Sequence, residues 1–231
     1  MEYSNTNELQ EFLGANILNH GCNLYLPRFL GEVVSTTSSS AALPLQYPGG
    51  TYSERDAKAA FHITSVLGQV LDSGKISFEN ISDFTPSFDL LHKTAFLFGS
   101  RSNNLTIWAT ENIPANKFFK FVFGDTWEIQ CENGKTYSMP DPSKLDRGQY
   151  TNQTDYGVIS KLSVPGSEEH LFVIAGLGSR ATEGCGYYFS NHWQKLFQRF
   201  GNNDFAVILK FSPPLAPEKH KPIAWFGDTS N

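Results

Sequence analysis

The chain is poor in the residues that staple or metallate a fold. It has three cysteines in 231 residues, Cys22, Cys131 and Cys185, an odd number without a C-x-x-C pair. That pattern excludes a disulfide framework and offers no zinc-ligand spacing, so reduced thiols and a cytoplasmic setting are expected. Its six histidines include no H-x-x-x-H or H-x-H pair, and neither metal nor redox cofactor is expected. No apolar run approaches the ~20 residues that cross a bilayer, and the N-terminus lacks the basic-then-apolar plan of a signal peptide, so no membrane partner is expected. Charge is also scarce: charged residues make up 18% and the net charge is −5. This removes the electrostatic footprint of a general nucleic-acid binder.

What is present is apolar and aromatic. Hydrophobic residues reach 40%, with nineteen Phe, nine Tyr and four Trp, enough to bury a core and to exclude a disordered chain. The periodicity predicts a helix within residues 1–20, a strand at 22–30 and a long polar loop at 31–51. Ser53, Glu54, Arg55 and Asp56 open a helix in capping-box register, with Ala57, Ala60, Phe61, Thr64, Leu67, Gly68 and Leu71 as its buried stripe. Strands follow at 76–82 and 94–99, then a hairpin at 117–131 and a loop at 132–154. A strand at 156–162, a turn at 164–169 and a strand at 171–175 precede a helix over 182–199 and final strands at 205–211 and 222–226. Strands alternating with helices at both ends predict an α/β fold: a mostly parallel central sheet flanked by helices, Rossmann-like, with an antiparallel hairpin in the middle of the chain. Residues 1–50 form an N-terminal helix, strand and loop, and 51–231 an α/β module, within one globular domain.

Two of the apolar strands end in the same Gly-Ser-Arg turn, Gly99, Ser100, Arg101 and Gly178, Ser179, Arg180. In open α/β sheets ligands bind beyond the carboxyl ends of the strands. Each turn offers glycine for close backbone approach, a hydroxyl and a guanidinium. The first continues with Ser102 and Asn103, which could hydrogen-bond a sugar or amide. The second runs into Thr182 and Glu183 at a helix start, a ready anion site. Neither turn reads G-x-G-x-x-G or a P-loop, which disfavours dinucleotide and triphosphate binding. The ordinary roles of such residues are N-caps, solvated arginines and packing glycines. Glu183 is the candidate catalytic residue, as a nucleophile or ribose-hydroxyl acceptor, against the plain reading of a first-turn acid that complements the helix dipole. Cys185 at the same helix start is read as a small buried residue before an activated thiolate. The aromatic run Phe118, Phe119, Phe121 and Phe123 with Trp127 reads as core packing before a base-stacking platform.

Six short motifs carry a family resemblance, in order: Ser53-Glu-Arg-Asp-Ala-Lys-Ala-Ala60, Ser82-Asp83-Phe84, Phe96-Leu-Phe-Gly-Ser-Arg-Ser-Asn103, Asp155-Tyr-Gly-Val-Ile-Ser-Lys161, Val173-Ile-Ala-Gly-Leu-Gly178 with Thr182 and Glu183, and Phe205-Ala-Val-Ile-Leu-Lys210. With these the region from about 51 to 228 resembles an uncharacterised Rossmann-like module in the C-terminal part of larger bacterial signalling and regulatory proteins. The resemblance implies a sensing role and a fused or partner signalling domain; it supplies no activity. The expected function is a small-ligand-binding sensory module for a polar, anionic or nucleotide-like metabolite. The alternatives are a hydrolase or transferase acting on a nucleotide or glycosidic bond through Glu183, and a structural protein-interaction domain presenting the aromatic hairpin.

Overall fold

The computed structural model describes residues 2–29, 46–47, 50–80, 85–213 and 216–229. The expected polar loop at 31–51 lies outside the described residues, apart from three short strands at its margins: β2 (Arg28–Phe29), β3 (Gln46–Tyr47) and β4 (Gly50–Tyr52). The Ser82-Asp83-Phe84 motif lies outside them too.

A seven-stranded sheet forms the centre, and its strands come from both halves of the chain. From one edge to the other it runs β13 (His220–Gly227), β12 (Phe205–Phe211), β10 (Asp155–Ser163), β11 (His170–Gly176), β6 (Thr94–Phe98), β1 (Cys22–Leu26) and β5 (Ile76–Asn80). β11, β6, β1 and β5 are mutually parallel, whereas β10 pairs antiparallel with both β11 and β12, and β12 with β13. Among the described residues seven strand pairings are antiparallel and three parallel. The expected mostly parallel, Rossmann-like sheet is therefore overturned. The reason is the connections: β10 and β11 are joined by a turn, and so short a link returns the chain antiparallel, since a parallel neighbour requires a crossover of a dozen residues or more.

The covering of the sheet departs from the expected pair of helical layers as well. One face is helical: α1 (Glu2–Leu13), α3 (Glu54–Leu67) and α6 (Ser179–Phe200) bury Phe12, Ile63, Phe189 and Trp193 against Phe96, Phe172 and Phe205. The ring of Phe12 stacks on Phe205 at 6.1 Å between centroids and meets Phe172 edge-on at 5.7 Å. The opposite face is covered by α4 (Asn104–Asn112) and a separate antiparallel meander, β7 (Phe119–Phe123), β8 (Thr126–Cys131) and β9 (Thr136–Pro140). Only one face is covered by helices alone; the other carries the meander with the single helix α4. The expected hairpin thus gains a third strand, and Phe119 and Phe121 serve in the second core rather than as an exposed platform.

Local chemistry explains the boundaries. The expected N-terminal helix breaks at Gly14, whose φ of +122 few other residues adopt; α2 (Ile17–His20) follows as a single turn. Ser53 caps α3, its hydroxyl accepting from the Asp56 N–H at 3.3 Å. The buried stripe of α3 is Ala59, Ala60, Ile63, Val66 and Leu67, while Phe61 is 73% exposed. The helix rotates this way because it packs on α6, not only on the sheet. At their crossing a Cβ on Gly186 would meet the Ala59 Cα at 2.7 Å, so glycine is what lets the two backbones approach. A short α5 (Arg147–Thr151), with a complete capping box between Asp146 and Gln149, interrupts the stretch expected to be loop.

Candidate functional site

Parallel β6 and β11 are neighbours, so their carboxyl ends lie side by side. Gly99 leaves β6 with φ +79, a left-handed conformation. The Ser100 hydroxyl then donates to the Gly176 carbonyl at 2.6 Å, tying the two turns together. Beside them lies a cavity of about 430 Å³, lined by Gly99, Ser100, Arg101 and Ser102 from one turn and Gly178, Ser179 and Thr182 from the other. The structure thus brings together seven of the nine expected ligand-binding residues around one opening.

The remaining site candidates lie outside the lining. Asn103 is the N-cap of α4: its oxygen accepts from the N–H groups of Leu105 and Thr106, and its amide donates to the carbonyls of Tyr25 and Phe98. All of that capacity is spent on the fold. The Arg180 guanidinium lies 5.4 Å from the Tyr150 ring centre. Glu183, only 6% exposed, pairs with Arg55 of α3, an ion pair that bridges two packed helices. Cys185 is fully buried and burial holds its thiol well above the ordinary value, opposite to an activated thiolate.

Three further walls come from elements distant in sequence. The start of α3 supplies Ser53 and Asp56, the meander supplies Trp127, and the segment around α5 supplies Leu145, Asp146 and Tyr150. Arg101 lies over the Trp127 ring at 5.2 Å and stands 4.0 Å from the Asp141 carboxylate. The Trp127 indole N–H is buried without a hydrogen-bond partner. Asp56 is 3% exposed, and burial pushes its carboxyl up to about 7 although the Ser53 hydroxyl hydrogen-bonds to it. Among the described residues no lysine or arginine pairs with it.

The helix start expected to take an anion already holds one. Asp155, fully buried at the beginning of β10, accepts from the Gly178 and Tyr156 N–H groups through Oδ1, at 3.0 and 2.8 Å. Its Oδ2 accepts from the Ala181 N–H and the Tyr150 hydroxyl, both at 3.3 Å. Burial outweighs these four contacts and raises its carboxyl to about 6. Gly176, Gly178 and Ala181 stand in the G-x-G-x-x-A spacing of dinucleotide-binding turns, with alanine in place of the third glycine. Where such a turn offers its N–H groups to a pyrophosphate, this one offers Gly178 and Ala181 to its own carboxylate.

Among the described residues no helix is long and apolar enough to cross a membrane. Compared with protein-family models, curated proteins and solved structures, the chain matches none.

Proposed function

We propose that the chain is a binding module for a small polar, nucleoside-like metabolite, acting in sensing or signalling. The carrying observation is the cavity of about 430 Å³ beyond β6 and β11. It has the size of small-molecule pockets, ~300–1,000 Å³, and occupies the place where α/β sheets bind ligands. Hydroxyls of Ser53, Ser100 and Ser102 and the carboxyl of Asp56 supply convergent polar groups, and the rings of Trp127 and Tyr150 with Leu145 and Leu177 supply apolar wall. The test is a thermal-shift panel of nucleosides, nucleotides and sugar phosphates on the natural chain and on Ser179→Trp, which places an indole at the exposed rim of the cavity. Stabilisation that Ser179→Trp abolishes is expected. No stabilising compound, or stabilisation indifferent to the substitution, refutes the proposal.

A second reading draws on Asp56. A buried carboxyl raised to about 7 and facing a cleft has the character of a general acid or base. It moves the hydrolase or transferase alternative away from Glu183. Chromatography of a binding nucleoside after incubation distinguishes the readings: a released base is turnover, an unchanged ligand is binding.

A further inference from the structure

Resting on that binding reading, we infer that the cavity takes a phosphate-free nucleoside-type ligand, held by its vicinal hydroxyls on Asp56 and by its flat ring on the Trp127 wall.

The charge inventory argues against a phosphate. Two carboxylates line the cavity, Asp56 and Asp146, against one guanidinium, Arg101. That guanidinium stacks on Trp127 and stands 4.0 Å from Asp141, so its charge is already shared. The positive end of α6 beside the cavity is closed by Asp155 from inside the fold, and that of α3 carries Asp56 in its own first turn. A phosphate entering here meets two carboxylates and displaces no counter-ion.

Asp56 argues for donors. A carboxylate taken out of water requires compensating partners. Here the Ser53 hydroxyl serves it, and no cation does among the described residues. Oδ2 faces the β6 turn, 3.4 Å from where a Cβ on Gly99 would stand, so glycine at 99 keeps a side chain away from that oxygen. A carboxylate has two oxygens and about four acceptor positions. Two neighbouring hydroxyls fit it as the acidic residue of dinucleotide folds fits a ribose, whereas a lone phosphate repels it. Trp127, Leu145 and Leu177 give the ring of the ligand an apolar wall beside the Arg101–Trp127 stack.

The experiment is isothermal titration of the full chain with adenosine, 2′,3′-dideoxyadenosine, AMP and inorganic phosphate, with Asp56→Asn and Ser179→Trp in parallel. Adenosine is expected to bind, dideoxyadenosine at least tenfold more weakly, and AMP no more tightly than adenosine. Asp56→Asn is expected to lose at least tenfold for adenosine and nothing for dideoxyadenosine. The dideoxy comparison uses the natural chain and does not depend on the variant folding. AMP or phosphate binding more than tenfold tighter than adenosine, with Ser179→Trp abolishing it, overturns this inference and leaves the cavity a ligand site. Equal binding of adenosine and dideoxyadenosine overturns it likewise. No binding by any of the four probes overturns the inference together with the reading beneath it.

Discussion

Replacing Lys161 by Met is expected to stabilise the protein, and to do so in a pH-dependent way. Lys161 sits on β10 between Phe172 of β11 and Phe205 of β12, fully buried on the helical face. Its ammonium lies 5.3 Å from the Phe12 ring centre and 3.5 Å from the Asn202 amide oxygen. Burial lowers its titration from 10.5 to about 8, against the opposing pull of Asp204 and Glu11. At about 1.4 kcal/mol per pH unit, that gap is a cost of about 3 kcal/mol for keeping the charged form inside. Methionine has similar length, removes the charge and keeps the contact with Phe12. Asn202 is exposed and recovers its hydrogen bond from water. The expected gain at pH 7 is therefore about 1–3 kcal/mol. Because the native lysine holds its proton less tightly than the unfolded one, its cost is complete below about pH 8. The cost fades as pH rises above 8 and is gone once pH is well past 10.5, where both states are neutral. Urea melts of both proteins at pH 7, 8, 9 and 10 measure the difference, in which every other titrating group cancels. A gain that does not shrink with pH, or a loss of stability at pH 7, refutes the account of Lys161 as a buried charge whose contacts fall short of its desolvation cost.

Other consequences follow from the same coordinates. Gly186→Ala is expected to cost about 1–3 kcal/mol in urea melts, because the new methyl meets the α3 backbone at Ala59, which cannot yield as a side-chain tip can. Arg55→Ala leaves the Glu183 carboxylate buried and unpaired, at about 3 kcal/mol; adding Glu183→Gln should recover most of it, and a double variant as unstable as the single one would remove the ion pair as the cause. If the ligand needs ionised Asp56, adenosine affinity measured by titration should fall up to tenfold per pH unit below about 7 and level off above it. A flat profile from pH 5 to 8 would show that the ionised carboxylate is not required.

The strands were legible where burial made them uniform. Thr94–Phe98, His170–Gly176 and Phe205–Phe211 are apolar runs at the centre of the sheet, buried on both faces or nearly so. These three run in one direction, as a parallel sheet requires; the expectation fails at β10 and β13, which run against them, and the turn between β10 and β11 is too short for a crossover. β9 gives little local signal because it is an edge strand of the meander with Met139 alone buried. α4 starts at Asn103, whose small polar side chain suits a helix cap and a ligand contact equally. On α3, Phe61 was assigned inward on periodicity alone, and only the position of α6 turns that face outward.

For the site, the two strand-end turns could be found because their place in an α/β sheet is set by local pattern. Asp56, Trp127 and Tyr150 could not, since three separate elements deliver them to the cavity and no spacing in the chain records that meeting. Asp155 was hidden for a related reason: it caps a helix that begins more than twenty residues later, with β11 in between. A cap so distant leaves no trace in the motif it occupies.

The arrangement of the central sheet has a bearing on how the chain reaches its native state. β10 with β11 and β12 with β13 are pairings between strands close in sequence, which close small loops and form early. β5, β1 and β6 form the parallel part, but the outer neighbour of β6 is β11, which is made only after the meander, α5 and β10. During synthesis from the N-terminus β6 therefore waits with an open edge of unpaired amides and carbonyls beside apolar side chains, the condition under which nascent chains pair wrongly. The later-made hairpin is both the quickest part to form and the template on which the earlier strands are completed. The last third of the sequence thus sets the pace for the first.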